Sequence, residues 1–426
     1  MAVLQPTLSD ARVQRLPLDG LALWIRRGEI GLTAFCVLML TDAFWGPVFA
    51  PQANLGGDDN PLLRLLWLPV YGVALGLSVL RAPNFLKIMP GLFMTGILIG
   101  LCFASRFWSI DPDTTLRRAI AITFTTLFGL YLAARYRGAE LTEIVAGSFA
   151  VLTAGSFFVC LFVPSLGIHN DINAGAWKGL WYEKNQMAAM MVLGFAAACA
   201  SAWQIPERRK LWIGVAVSIL VLVVLSRSKT SLLCCLACIA AYPMLSALRK
   251  GGVLSILFVW LAATAALIGG ALFYMAPDLV FRALGKDPTL TGRTEIWASL
   301  MRLSDKRPWL GYGYKAFWGK TSVPAQIVKT ETHWDVPSAH NGWLDLLIQL
   351  GWIGVAVFAF CLMAAYFCAL FRFRRVNDGF FSVLILVVFS FMIMSESFIL
   401  SQNSLIWALA VCAVARLTAN EVEEQA

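Results

Sequence analysis

Long apolar runs recur along almost the whole chain, separated by short polar segments. Most runs have roughly 17–25 residues, the length that an α-helix needs to cross about 30 Å of hydrocarbon. The pattern therefore predicts an all-α, polytopic membrane protein with about twelve transmembrane helices. The predicted spans are residues 30–50, 62–80, 88–105, 119–134, 143–163, 186–204, 211–226, 230–248, 252–275, 342–371, 380–398 and 403–418.

An even number of spans places both chain termini on one side of the membrane, and basic residues decide which side that is. Nearly every segment on the terminal side carries lysine or arginine, as at Arg81, Arg135, Arg208 and Arg372. We expect this side to be the cytoplasmic side of a bacterial inner membrane. The predicted organisation is a cytoplasmic segment at 1–29, helices one to nine over 30–275, a large periplasmic loop at 276–341, helices ten to twelve over 342–418 and a cytoplasmic tail at 419–426.

The large loop is expected to carry function, as long loops in compact proteins usually do. Within it, the stretch from Thr291 to Leu303 places Ile296, Trp297, Leu300 and Met301 at helical spacing. This spacing predicts an amphipathic helix that lies at the membrane interface.

The composition excludes a soluble fold, since 59% of the residues are hydrophobic, 14% are charged and the mean hydropathy is +0.72. The net charge of +9 fits anionic lipid headgroups and needs no nucleic acid. The first 28 residues lack a short apolar core followed by a cleavage site, so no removable signal peptide is expected. Cys234, Cys235 and Cys238 lie in an apolar run and are interpreted as packing residues, not as disulfide partners or metal ligands.

A tight turn at Ser226–Thr230 joins two apolar spans on the predicted periplasmic side and contains Arg227 and Lys229. The turn opens a helix, whose free backbone N–H groups and positive dipole end would lie beside the two cations. Such a place suits a phosphate group. The alternative is an ordinary hairpin with capping hydroxyls and snorkelling cations.

Two further polar clusters belong to the large loop. Arg293 follows Gly292 at the start of the amphipathic helix, where its planar guanidinium group can form paired hydrogen bonds to a phosphate. His340 lies directly before the tenth span and can act as a general base. Taken alone, a histidine at a helix start is more often a capping or interfacial residue, and this is the interpretation for His169 and His333.

A fourth cluster leads into the sixth span and contains Trp177, Lys184 and Asn185. These aromatic, charged and amide groups can line a sugar site. The alternative for Trp177, and for Trp181 and Tyr182 beside it, is the interfacial aromatic belt of membrane proteins.

In this order, the clusters resemble the O-antigen ligase and polymerase superfamily (Wzy/WaaL-like), specifically its exopolysaccharide polymerase (ExoQ-type) branch. The resemblance extends from about Trp108 to about Ser397. One departure is Glu183, where many relatives have a histidine, so the resemblance supports no proton-transfer role there. The matching pieces are Trp108 to Pro112 with Arg117 and Arg118, Lys184-Asn185, Ser226 to Thr230, Gly292 to Trp297, Pro308 to Trp318, His340 to Gly342, Leu344 to Gly351 and Ser395 to Ser397.

The resemblance implies a glycosyltransferase that needs no metal or cofactor and inverts the anomeric configuration. Such enzymes move a glycan from undecaprenyl pyrophosphate to a sugar hydroxyl at the periplasmic face, and polymerases use a second lipid-linked repeat unit as the acceptor. A chain-length regulator and a flippase are the expected protein partners. The implied roles are general base for His340, pyrophosphate binding for Arg227, Lys229, Arg293 and Arg118, and sugar binding for Lys184, Asn185, Trp177, Tyr312, Asn341 and Glu396.

Two other functions stay open at this point. A ligase would move finished polysaccharide onto lipid A core, or onto a protein, with the same donor and the same residues. A transporter or flippase for lipid-linked glycans would need charges along a path deep within the spans. The middle regions of the predicted spans are almost free of charge, which argues against transport.

Overall fold

The computed structural model describes residues 20–43, 61–171, 173–253, 255–257, 260–261, 264, 292–372 and 379–419, and within them the regular secondary structure is helical. One isolated β-bridge joins Ile168 and Trp177. The α-helices are α1 Gly20–Met39, α2 Pro61–Leu80, α3 Met89–Ala104, α4 Pro112–Arg135, α5 Ala139–Phe162, α6 Pro164–Gly167, α7 Lys184–Gln204, α8 Arg209–Leu225, α9 Lys229–Lys250, α10 Arg293–Ser304, α11 Val323–Thr332, α12 Gly342–Arg372, α13 Gly379–Met392 and α14 Leu405–Thr418.

Several described segments are long and apolar enough to cross a membrane, so the chain is an all-helical, polytopic membrane protein, as predicted. The number of twelve spans stays a prediction, because most of residues 252–275 lies outside the described residues. The six longest candidates are Ala82–Phe107, Pro112–Arg135, Ala139–Phe162, Lys184–Gln204, Lys229–Leu248 and Gly342–Leu370.

Several predicted spans differ from the helices in the structure. Helix α1 begins at Gly20 rather than at residue 30. Helix α13 ends at Met392, where the prediction continued to 398. The predicted span 342–371 is interrupted at Gly351, whose φ of 64° and ψ of −168° are not helical. Hydropathy does not detect the break at Gly351 because apolar residues continue on both sides of it.

A segment of the large loop packs against α12 at the break at Gly351. Trp352 donates its backbone N–H to the carbonyl of Pro308 over 2.8 Å, and Tyr312 donates to the carbonyl of Ile348 over 2.9 Å. A Cβ atom at position 351 would overlap the backbone of this loop segment. The loop therefore docks onto α12 through backbone hydrogen bonds, which cannot be recognised from the amino-acid sequence.

The predicted amphipathic helix is present as α10, and most of its apolar face is buried against protein. Ile296, Leu300 and Leu303 are at most 4% exposed and pack with Val328 of α11 and Ile348 of α12. The large loop thus has its own hydrophobic core. Sequence spacing identified the helix, and its position at the membrane interface stays a prediction.

The directions of three packed helices define two ends of the bundle. Trp203 of α7 packs against Tyr242 of α9 and Phe380 of α13, with ring centroids 4.3 and 4.6 Å apart. These residues lie at the end of α7, in the second half of α9 and at the start of α13. The opposite end therefore holds the starts of α7 and α9, at Lys184 and Lys229, and we call it the site end.

The other end, which we call the basic end, contains Arg81, Arg135 and Arg208. Arg81 and Arg135 both bind the carboxylate of Glu29, at 2.6 and 3.1 Å, and Glu29 is only 4% exposed. Arg208 pairs with Glu143 over 3.0 Å. The Glu29 cluster ties α1, α2 and α4 together, because a buried carboxylate is tolerated only when charged donors satisfy it.

Candidate functional site

Glu396 joins Arg293 and His340 at the site end. Arg293 starts α10, His340 precedes α12 and Glu396 follows α13, so three distant parts of the chain meet here. Arg293 Nη2 donates to Glu396 Oε1 over 3.3 Å, and the other carboxylate oxygen, Oε2, lies 3.2 Å from His340 Nδ1. Arg293 Nη1 also donates to the Ser395 carbonyl over 2.9 Å. All three side chains are only 20–30% exposed.

Backbone contacts hold His340 in position. Gly342 donates its N–H to the carbonyl of Ile393 over 2.7 Å, which joins the start of α12 to the end of α13. Trp297 of α10 donates its indole N–H to the Ala339 carbonyl over 2.9 Å. His340 itself has a φ of 47°, a left-handed conformation that is uncommon outside glycine. The imidazole is thus positioned by α10, α12 and α13 together.

The hydrogen bond to Glu396 determines the tautomer of the neutral His340 imidazole. A carboxylate only accepts hydrogen bonds, so Nδ1 carries the proton and Nε2 of the neutral ring keeps its lone pair. None of the described residues forms a hydrogen bond with Nε2, although this atom is buried. An unpaired basic nitrogen, oriented by a carboxylate, is the arrangement that a general base requires.

Trp334 is a neighbour of His340 that the sequence analysis did not single out. Its ring stacks on the imidazole with 5.7 Å between centroids and 8° between planes, and the residue is 44% exposed. In the described part of the loop, five other large apolar residues are also exposed, among them Trp309, so exposure alone does not single out Trp334. Only the fold brings Trp334 over the imidazole.

Arg227 and Lys229 lie at the site end in the turn between α8 and α9. Arg227 has a φ of 55°, and its Nη1 donates to the Ala174 carbonyl over 3.3 Å. This contact joins the turn to the segment that precedes α7. Arg227 and Lys229 are both exposed, so the predicted anion site is solvent-accessible, and their pyrophosphate role stays a prediction.

His169 caps helix α7. Its Nδ1 faces Asp171 Oδ2 at 3.2 Å, and its Nε2 accepts the backbone N–H of Lys184 over 3.2 Å. The backbone N–H of Asn173 also donates to Asp171, and together these contacts hold the pKa of that carboxyl below its usual value. The capping interpretation of His169 is therefore confirmed.

The predicted sugar-binding residues of this region surround the cap. Lys184 is half-buried at the start of α7, and Asn185 is exposed beside it. Trp177 packs its ring edge-to-face against Phe157, with centroids 5.9 Å apart, and donates its backbone N–H to Leu225. All three lie at the site end, and their contact with sugar stays a prediction.

Two other predicted sugar-binding residues have structural partners. The Tyr312 hydroxyl donates to the Leu303 carbonyl over 2.9 Å, and its ring packs on Phe317 in the loop core. The Asn341 side-chain oxygen accepts the backbone N–H groups of Trp343 and Leu344, at 3.0 and 3.2 Å. Asn341 therefore caps α12, and the structure does not bring the Tyr312 hydroxyl to the His340 cluster.

Arg118 lies near a second polar cluster at the site end. Burial raises the pKa of the Tyr314 phenol well above its usual value, and the nearby Arg118 opposes that shift. On the first half of α12, the buried Asp345 accepts the Trp318 indole N–H over 2.7 Å, and Lys315 Nζ lies 4.0 Å away. The charged Lys315 within an aromatic stretch was the signal that sequence reasoning passed over.

Within the part of the chain that the structure describes, no group of three or more histidine, cysteine, aspartate or glutamate residues is arranged to hold a metal ion. The expectation that the reaction needs no metal stays a prediction.

Two comparisons show which known proteins this chain is similar to. A sequence model of the family described as O-antigen ligase matches residues 214–359. The exopolysaccharide production protein ExoQ of Rhizobium meliloti (strain 1021) is 27% identical over 339 residues, which cover 76% of this chain and 74% of that protein. Part of the chain is therefore similar to the O-antigen ligase family, and most of it is similar to a protein of exopolysaccharide production.

The matched family region contains some of the site residues and leaves others outside. Arg227, Lys229, Arg293 and His340 lie within residues 214–359. Glu396 lies beyond that range, so its link to Arg293 and His340 comes from the structure.

Proposed function

We propose that this protein is a member of the O-antigen ligase and ExoQ superfamily, and that it is an inverting glycosyltransferase that polymerises undecaprenyl-pyrophosphate-linked repeat units into exopolysaccharide or O-antigen at the periplasmic face. The observation that carries the proposal is the Arg293–Glu396–His340 cluster, in which the basic Nε2 atom of His340 has no hydrogen-bond partner among the described residues. The arrangement supports proton abstraction from a sugar hydroxyl.

His340 and the two cations Arg227 and Lys229 have separate roles in the proposed reaction. The acceptor hydroxyl gives its proton to His340 Nε2 while its oxygen bonds to the anomeric carbon of the donor. The bond from that carbon to the pyrophosphate oxygen breaks, and undecaprenyl pyrophosphate leaves with the electron pair. Arg227 and Lys229 would neutralise the charge that develops on the leaving group. Imidazolium then releases the proton to solvent, which restores the base.

Glu396 stabilises the imidazolium that forms in this step and keeps its ring oriented. Arg293 binds Glu396 and the Ser395 carbonyl, so we assign it a positioning role besides the predicted pyrophosphate binding. The inversion of configuration follows from a single displacement.

The orientation belongs to the same proposal. Arg81, Arg135 and Arg208 gather at the basic end, and the positive-inside rule favours the cytoplasm for that end. The site end would then face the periplasm. This location suits a donor whose lipid tail stays in the bilayer while its sugars lie in water.

The test of the proposed function is a matched pair of histidine variants. His340→Asn should abolish glycan elongation on a lipid-linked repeat unit in purified, reconstituted protein, because asparagine cannot act as a base. His333→Asn is the control, since His333 also has a positive φ, 52°, and is exposed. Asparagine tolerates this conformation. Equal activity in both variants would remove His340 from the reaction.

The family description as O-antigen ligase keeps the ligase as a second candidate. The two activities differ in what accumulates when the gene is deleted. Loss of a polymerase leaves single repeat units on the lipid carrier, whereas loss of a ligase leaves long chains on it. Gel analysis of surface and lipid-linked glycans from the deletion strain separates them. Association with a chain-length regulator and a flippase is proposed for the polymerase.

A further inference from the structure

A groove of about 470 Å³ runs between α5 and α8. It exists because small residues face each other along the two helices, with Ala150 and Ala154 on α5 and Gly214 on α8. Its volume lies within the roughly 300–1,000 Å³ of typical small-molecule sites. The groove is distinct from the His340 cluster, which α10, α12 and α13 hold.

The interior of the groove suits hydrocarbon. Two hydroxyl residues line it, and both bond to their own helices: Thr153 Oγ1 donates to the Phe149 carbonyl over 2.6 Å, and Ser218 Oγ to the Gly214 carbonyl over 2.9 Å. Neither hydroxyl therefore needs a polar group on a ligand. An alkyl chain can occupy this space without leaving a buried polar atom unpaired.

Large apolar side chains flank the groove and face outward. Val151 and Phe158 of α5 are 61% and 59% exposed, and Leu211 and Val217 of α8 are 57% and 55% exposed. In a membrane protein such surfaces contact lipid. The groove thus opens toward the acyl chains of the bilayer.

One mouth of the groove is positively charged. Lys210 lines it in the first turn of α8, and Arg209 lies beside it, both exposed. No side chain caps this helix N-terminus, so its dipole adds to the positive field. This mouth lies at the basic end, where Arg208 binds Glu143 of α5. An occupant must combine a hydrocarbon chain with a negative headgroup.

We propose that this groove is a binding site for an anionic phospholipid. One acyl chain lies between α5 and α8, and the phosphate binds Lys210 and the N-terminus of α8. The volume of the groove, about 470 Å³, distinguishes this lipid from those that cover a flat helix surface. The proposal requires only that the bundle is embedded in a bilayer, and it is independent of the glycosyltransferase reaction.

The experiment measures lipid retained by the full-length protein in native mass spectrometry after exchange into detergent. The probes are phosphatidylglycerol, phosphatidylcholine with the same acyl chains, and undecaprenyl phosphate. Lys210→Ala removes the charge, Lys210→Arg keeps it, and Gly214→Leu fills the groove, since a Cβ at Gly214 meets no atom within 4 Å. The controls are Lys87→Ala at the basic end and Gly72→Leu, at another open helical glycine.

The wild type, Lys210→Arg and both controls should retain phosphatidylglycerol in preference to phosphatidylcholine. Lys210→Ala should lower this retention about fivefold, as expected for one basic side chain at an anionic lipid surface. Gly214→Leu should abolish it. The proposal is overturned if both lipids are retained equally, if Lys210→Ala retains as much as Lys87→Ala, or if Gly214→Leu selectively loses undecaprenyl phosphate while keeping phosphatidylglycerol.

Discussion

At the scale of single residues, Glu396 shows how the site depends on contacts between distant segments. The sequence analysis placed Glu396 in a sugar-binding role and treated Arg293 and His340 as separate clusters. The structure joins all three through the two oxygens of one carboxylate, at 3.3 and 3.2 Å. A carboxylate on Nδ1 determines which nitrogen of an imidazole can accept a proton.

Glu396→Gln is predicted to reduce turnover by about 10²–10⁴-fold with little change in KM, because an amide can direct Nδ1 into the wrong tautomer. The kcat and KM of the reconstituted enzyme are the measurements. Glu331→Gln is the control, since Glu331 forms an exposed pair with Arg302 in the same loop. A rise in KM with unchanged kcat would contradict the positioning role and favour direct sugar binding.

Trp334→Ala is predicted to reduce kcat by up to about tenfold, which corresponds to the stacking energy of an aromatic pair. The physical reason is that the indole holds the plane of the imidazole. Trp309→Ala is the matched control, because Trp309 is another tryptophan of the large loop and is 67% exposed. Equal kcat values for the two variants would show that the stack is catalytically irrelevant.

At the scale of helices, sequence periodicity located elements better than it located their ends and partners. Residues 62–80 and 230–248 correspond to α2 and α9, because continuous apolar runs of this length have few alternatives to a helix. The break at Gly351 escaped prediction, since apolar residues continue on both sides of it. Helix α11 was missed because it has only ten residues.

Gly351→Ala is predicted to destabilise the docking of the large loop by about 1–3 kcal/mol, since this backbone conformation is nearly restricted to glycine. The added Cβ would also overlap the loop backbone. A lower melting temperature in detergent, with faster proteolysis of the loop, is the expected result. Gly96→Ala on α3 is the control, because a Cβ there meets no atom within 4 Å. A melting temperature as high as that of the control would contradict the docking argument.

At the scale of the whole molecule, the bundle has two chemically different ends. The starts of α4, α7, α9 and α12 carry candidate site residues at the site end, whereas Arg81, Arg135 and Arg208 lie with Glu29 and Glu143 at the basic end. The loop that docks on α12 brings Arg293 and His340 together. The proposed orientation puts the site end in the periplasm.

Cysteine labelling in intact cells tests this orientation. Lys320→Cys, in the large loop, should react with a membrane-impermeant maleimide, and Arg137→Cys, at the basic end, should react only after permeabilisation. The wild type is the control, because eight of the ten native cysteines are buried and two are partly buried. The reverse pattern would require the opposite orientation and would place the candidate site in the cytoplasm.

The sequence by itself determined that the protein is a helical membrane protein and which polar residues stand at helix ends. The reason is that the hydrocarbon of a bilayer tolerates few charges and requires every backbone N–H and C=O group to be hydrogen-bonded. It also identified α10 and the resemblance to the O-antigen ligase family. Only the tertiary structure decided that the apolar face of α10 packs on protein, that α12 breaks at Gly351, and that Glu396 bridges Arg293 and His340. These features depend on contacts between segments far apart in the chain, and the local periodicity of hydrophobic residues does not predict such contacts.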